Sequence, residues 1–528
     1  MIWLLTGCFI TQDDREEVMD NDEDGFYHAD LGGVPPELVD CNDNNDDIHP
    51  GAFENCEDEV DSDCDGHNCI PQITHDLLDA APTLWGSPGD NLTARLALVH
   101  LDASDTTPEL VLSAPGASDG MGRVYLLPDP TSSLSEAVVI EGTIEGGALQ
   151  VGGSGDVDGD GDDELFLSNL SLTEPTTYVI DDWAGGSAEI VATFTGAPQT
   201  GKAAIALSEF ALNTGVIVLG DPDGDGYNNM LVLGPLEADS GRAYLLSQSP
   251  SDSVDLTDGS TPGLRATFVG ALDENLFGGG SQTGFDHNCD GVVDALLVAP
   301  NFNLLEADGE PILEEIGAVY GFDGDSQGSI DATDADFVLY GSYSESHIEW
   351  AADLGDTNGD GCSDLGVFFH AGAGDLGVFL GSTDPDEGLM GENYSADGVL
   401  KLFGDDGGTP TEEFGYGTIG NIDIDEDGRS DIMLGAPQEG SLNPVNGVVS
   451  AGAAYLYFGP ISGVSNPEHA RGHWLGGLNE GRLGTPDVGD ADGNGVLDLL
   501  LSAPGASQSA ESHEGAIYIL YDAFEELL

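Results

Sequence analysis

Short apolar runs and polar stretches recur along this chain in a fixed order, without the three-to-four-residue spacing of an amphipathic helix. One run, such as Gly215-Val-Ile-Val-Leu-Gly220, leads into an acidic loop. A second leaves the loop and stops near Ala-Pro or Gly-Pro, as in Leu110–Pro115, Met230–Pro235, Ala295–Pro300, Ile432–Pro437 and Leu499–Pro504. A third reads Gly-x-x-Tyr, at Gly122–Tyr125, Gly241–Tyr244, Gly317–Tyr320, Gly452–Tyr455 and Gly515–Tyr518. The fourth ends on an aromatic or apolar residue before glycine, as in Phe268-Val-Gly270, Tyr340-Gly341 and Phe403-Gly404. Four short strands per unit predict the blades of a β-propeller, here called strands A to D, and exclude a helical solenoid. The acidic loops begin at Asp156, Asp221, Asp286, Asp356, Asp423 and Asp490, and a degenerate one at Asp102 makes seven. The seventh unit ends without a D strand, while a spare D-type signal, Pro82–Pro88, precedes the first. An N-terminal strand within residues 73–92 is therefore expected to close the last blade. The fold class predicted is all-β: a seven-bladed β-propeller over residues 73–528 with no open seam.

The acidic loops carry the candidate chemistry. The clearest reads Asp423-Ile-Asp425-Glu-Asp427-Gly-Arg429-Ser-Asp431. Side chains at positions 1, 3, 5 and 9 supply hard oxygens, glycine at 6 permits the sharp turn, and the carbonyl at 7 adds a ligand, a set suited to Ca²⁺. The same spacing gives five more sets: Asp156, Asp158, Asp160, Asp162 and Glu164; Asp221, Asp223, Asp225, Tyr227 and Asn229; Asp286, Asn288, Asp290, Val292 and Asp294; Asp356, Asn358, Asp360, Cys362 and Asp364; and Asp490, Asp492, Asn494, Val496 and Asp498. A solvated turn explains one such loop as well as a metal does, but six in register favour coordination. The loop with Asp102, Ser104 and Glu109 is a residue short and lacks the glycine. Cys289 and Cys362, at positions 4 and 7 of adjacent loops, are read as two unpaired small residues.

Composition narrows the partners. Ten Lys and Arg stand against 99 Asp and Glu, a formal charge of −89. Nucleic acid needs a basic footprint and is excluded as a partner. Six or seven divalent ions offset only a small part of this charge, so solubility accounts for much of it. Residues 9–72 are acidic and poor in large apolar side chains, a tether with little surface to bury. They contain a further loop opening at Asp20, Asp22 and Asp24, and the cysteines Cys41, Cys56, Cys64 and Cys69. Two disulfides in an oxidising compartment are expected of those four, with connectivity open and thiolate ligation the alternative. His28, His49 and His67 form a weaker candidate transition-metal set. Residues 1–8 end in Leu5-Thr-Gly-Cys8, which resembles a bacterial lipobox and makes Cys8 a lipidation candidate. The run before it is short and lacks a basic region, and no later stretch reaches the length of a transmembrane helix.

Gly435-Ala436-Pro437, Phe403-Gly404 and Phe414-Gly415 carry a resemblance to the FG-GAP repeats of integrin α-subunit propellers and their bacterial relatives. The layout from Asp20 to Cys69 resembles the Asp/Cys-rich metal-binding motif of bacterial surface proteins. The first resemblance implies Ca²⁺ in the six complete A–B loops, on one face of the disc. Blade 2 reads Leu165-Phe-Leu-Ser-Asn-Leu and blade 5 Gly366-Val-Phe-Phe-His, so neither has the GAP element. There are only two lysines, Lys202 and Lys401, with no nucleophile elbow, zinc-protease helix or phosphate loop. The function expected is a calcium-binding cell-surface propeller for adhesion, ligand binding or assembly, meeting an extracellular protein or glycan. It touches a membrane only through a lipid anchor and is not an enzyme. The alternatives are a secreted hydrolase or polysaccharide lyase on the same scaffold, and a metal-scavenging surface protein.

Overall fold

The computed structural model describes Tyr27–His28, short pieces between 39 and 48, 73–77, and most of 81–527. Its main gaps after residue 81 are 103–106, 170–175, 182–187, 196–214, 223–226, 382–392, 404–413 and 439–449. Cys8, Asp20, Asp22, Asp24, Cys56, Cys64, Cys69, His49 and His67 lie outside the described residues. His28 sits in a two-residue strand, Tyr27–His28, paired in parallel with Val39–Asp40. Cys41 is disulfide-bonded, with its partner outside the described residues.

The chain forms a seven-bladed β-propeller. Blade 1 runs from strand A to strand D as Leu96–Val99, Glu109–Ala114, Arg123–Leu127 and Val138–Glu141. Blade 6 follows the same antiparallel order: Tyr416–Ile422, Asp431–Ala436, Ala453–Tyr457 and Gly472–Leu475. B strands are buried along their whole length, because each is covered on both faces by neighbouring blades. Seven hydrophobic clusters fill the seven interfaces, the last joining Leu110 and Leu112 of blade 1 to Leu500 and Ile517 of blade 7. The ring is closed.

Glycine and tyrosine of Gly-x-x-Tyr have separate tasks. Gly122, Gly241, Gly317, Gly452 and Gly515 hold φ between +71° and +85°. A Cβ on any of them would lie within about 2.4 Å of the next blade's backbone, so only glycine lets adjacent blades meet there. The tyrosines Tyr125, Tyr244, Tyr320, Tyr455 and Tyr518 are all buried in the clusters.

Closure comes from the N-terminal side, as expected. Leu84–Trp85 pairs antiparallel with Ala516–Leu520 as the fourth strand of blade 7. The blades also carry a strand that the four-strand reading lacked. In blades 2 to 6 a fifth strand of two to four residues lies parallel to strand D, and in blades 2 to 5 it comes from the next blade's C–D connection. Val254–Asp255 of blade 3 covers blade 2, Gly328–Asp331 of blade 4 covers blade 3, and Ile73–Asp76, ahead of the closing strand, covers blade 6. Blade 4 departs in a second way. Its inner segment, opened by Gly278, Gly279 and Gly280, makes only isolated bridges, Ser281 to Ala351 and Phe285 to Asp294. A glycine run has no side chains to pack and resists a regular strand.

Candidate metal centres

Each acidic loop joins strand A to strand B, and its side chains first satisfy the loop's own backbone. In the blade 2, 4, 5, 6 and 7 loops the position-1 carboxylate (Asp156, Asp286, Asp356, Asp423, Asp490) accepts the N–H of the position-6 glycine at 2.7–3.1 Å. The position-3 side chain (Asp158, Asn288, Asn358, Asp425, Asp492) accepts the N–H of position 5 at 2.8–3.1 Å. Position 5 (Asp160, Asp290, Asp360, Asp427, Asn494) accepts that of position 7 (Asp162, Val292, Cys362, Arg429, Val496) at 2.7–3.0 Å. The position-6 glycines have φ of +83° to +100°, a conformation that a side chain would strain. The third loop is described only at Asp221, Tyr227 and Asn229; Asp223 and Asp225 fall outside.

Position 9 does more than the sequence suggested. It is the first residue of strand B, and both of its oxygens anchor the loop. Asp431 accepts Ile424 N–H at 2.7 Å and Gly459 N–H at 3.0 Å. Asp364 accepts Thr357 N–H and Gly381 N–H, both at 2.9 Å, and Asp498 accepts Ala491 N–H and Asp522 N–H, both at 2.8 Å. In the blade 4 loop, Asp294 accepts Gly324 N–H at 2.8 Å and is paired with buried His287. Even the degenerate blade 1 loop keeps this anchor, since buried Glu109 accepts Leu101 N–H at 2.9 Å.

Burial makes these anchors costly to charge. It pushes the Asp364 and Asp431 carboxyls up to about 6 and Glu164 to about 8. Asp158 and Asp425 are raised by burial and by the carboxylates beside them. Carboxylate oxygens of Asp156, Asp158 and Asp160 lie within 4.8 Å of one another, as do those of Asp423, Asp425 and Asp431, and of Asp490, Asp492 and Asp498. Converging, preorganised oxygen donors with no soft ligand fit a hard divalent cation.

The loops are linked around the face. Asn228 donates its amide to the Asp156 carbonyl, and Ser430 donates its N–H to the Asp356 carbonyl at 2.8 Å. Between blades 4 and 5 the link is covalent. Cys289 and Cys362 form a disulfide with Cα atoms 5.2 Å apart, which overturns the reading of two unpaired residues. They are 73 positions apart in sequence, about one blade, and the packing of blade 4 on blade 5 makes their loops neighbours. Cys289→Ser with Cys362→Ser is expected to cost about 2–4 kcal/mol. Denaturant melts of oxidised, reduced and double-variant protein check this, and coincident curves would show that the bridge carries no stability.

The fold and these loops define a class: a seven-bladed β-propeller with acidic A–B loops. Residues 416–457 match the FG-GAP repeat family, and residues 40–68 and 281–295 match a family described as "Putative metal-binding motif". The second of these segments is the blade 4 loop, Asp286 to Asp294. Integrin alpha-4 of Xenopus laevis is 33% identical over 229 residues, 42% of this chain and 20% of the integrin. The match therefore spans about a fifth of that relative's length. Among the described residues no helix is long and apolar enough to cross a membrane.

Proposed function

We propose that this chain is a Ca²⁺-loaded propeller displayed outside the cell, where it binds an extracellular protein or glycan. One observation carries the reading: five acidic loops on one face share the same preorganised cage of oxygens. Ca²⁺ is held at positions 1, 3, 5, 7 and 9 of the six complete loops, including Asp221, Asp223, Asp225, Tyr227 and Asn229 of the third. Cations that stiffen one face leave the B–C and D–A loops of the other face free to recognise a ligand. The likeness to an integrin α subunit supports a binding module rather than an enzyme. The acidic segment 9–72 serves as a charged spacer, extended by its own repulsion, and Cys8 as the lipid-bearing residue. A glycan array and a pull-down from cell-surface extract, each run with Ca²⁺ and with EGTA, test the binding. Capture that needs Ca²⁺ is expected, and capture indifferent to EGTA would set the loops apart from ligand binding. Cys8→Ser should move the protein from the membrane fraction to the soluble one. Equal membrane recovery would remove the anchor.

A further inference from the structure

Blade 4 departs from its neighbours at one spot beneath its acidic loop. Two residues border the position-9 side chain of a loop: position 2, and the residue just past the end of strand C. In blades 5, 6 and 7 they are Thr357 and Leu380, Ile424 and Phe458, and Ala491 and Tyr521. Blade 2 ends strand C on Asp181 but has Val157 at position 2. Blade 4 carries His287 and Asp323 at these places.

The two meet Asp294. A ring nitrogen of His287 and carboxylate oxygens of Asp294 and Asp323 lie within 4.8 Å of one another. His287 and Asp294 are each 3% exposed. Nδ1 of His287 stands 2.5 Å from Asp294 Oδ2, out of line for a hydrogen bond. The surround holds the set in place. Asp323 donates its N–H to Asp336 at 3.1 Å, Asp294 accepts the Gly324 N–H at 2.8 Å, and the Phe337 ring packs 5.5 Å from the imidazole. Three carboxylates, Asp294, Asp323 and Asp336, thus act on a single imidazole. A protonated histidine offsets one of those charges, and a divalent ion offsets two. Uncompensated charge is costly where water is excluded, so the ion is the better match. The imidazole also changes which ion fits. Oxygen donors alone favour Ca²⁺, whereas a nitrogen among them suits Zn²⁺ and its first-row neighbours.

We propose that His287, Asp294 and Asp323 hold a second divalent ion, of the Zn²⁺ type, beneath the blade 4 loop. With Ca²⁺ in the loop, Asp294 bridges the two ions. The second site needs Asp294 but no Ca²⁺ above it, so it stands apart from the Ca²⁺ reading.

The probe is Co²⁺, titrated into metal-free full-length protein in a large excess of Ca²⁺, with bound Co²⁺ counted by equilibrium dialysis. His287→Val and Asp323→Leu place in blade 4 the residues that blades 2 and 5 carry there, Val157 and Leu380. Each variant should bind one Co²⁺ fewer than the wild type and lose a hyperfine-shifted imidazole N–H resonance. Zn²⁺ should displace that Co²⁺ at one equivalent. Asp323 is exposed and can be replaced without disturbing the core, so its variant decides if His287→Val misfolds. Equal Co²⁺ counts in Asp323→Leu and wild type would overturn the proposal and leave His287 as a protonated partner of Asp294. A site that prefers a hard ion would fill with Ca²⁺ and give that same overturning result. Failure of the Ca²⁺ reading would instead raise the Co²⁺ count of all three proteins alike, with the difference of one intact.

Discussion

Chelation with excess EGTA will lower the melting temperature by tens of degrees. Extracellular Ca²⁺ sites bind at about 10⁻⁴ to 10⁻³ M. At tenfold excess over Kd a site contributes about 1.4 kcal/mol, and six together about 8, within the roughly 5–15 kcal/mol that a domain has in all. Removing the ions also leaves clustered carboxylates facing one another at Asp156–Asp160 and Asp423–Asp431. The metal-free protein should answer to acid in the opposite sense to most proteins. Burial raises the Asp364, Asp431 and Glu164 carboxyls above their ordinary values, so the folded state binds these protons more tightly than the unfolded one. Their contribution to stability is therefore full below about 4 and is lost as pH rises to about 6 for the two aspartates and to about 8 for Glu164. Melts across about pH 4 to 8.5, with and without Ca²⁺, read both effects. A curve unmoved by EGTA would exclude the loops as cation sites.

Truncation gives the second large effect. Removal of residues 1–72 keeps Ile73–Asp76 on blade 6 and Leu84–Trp85 on blade 7, and should leave a soluble monomer. Removal of residues 1–92 takes both strands, opens two blade edges and uncovers Trp474, which His75 stacks upon. Aggregation, or a melting temperature lower by ten degrees or more, is expected. Removal of 1–80 separates the two roles, because it exposes blade 6 alone. Light scattering and thermal melts of the three truncations decide the matter. Equal solubility and stability of all three would mean that the N-terminal strands do not close the ring.

The repeat and its loops were legible because each copy is written in local chemistry: Asp at alternate positions, a glycine at the turn, apolar runs on either side. Seven copies, with Pro82–Pro88 left over, were enough to foresee the closing strand Leu84–Trp85. The fifth strands were not legible. Val254–Asp255 or Val464–Ser465 has too few residues to carry a pattern, and its partner lies one blade away. The Cys289–Cys362 bridge was missed although their loops were read as adjacent, because a repeat pattern does not tell how closely positions 4 and 7 of neighbouring loops approach. Position 9 was read as a ligand alone because its backbone partners, such as Gly459 and Asp522, belong to the far end of strand C.

Four of the five fifth strands reach backward, blades 2 to 5 each being capped by the blade made after it. During synthesis the newest blade is therefore always the uncapped one. Ile73–Asp76 and Leu84–Trp85 emerge first, yet their partners Gly472–Leu475 and Ala516–Leu520 emerge last. The earliest strands must wait for almost the whole chain, and until they dock the half-made disc offers a sticky seam. A holdase that keeps residues 73–85 extended through translation would protect the nascent protein better than one acting on the finished ring.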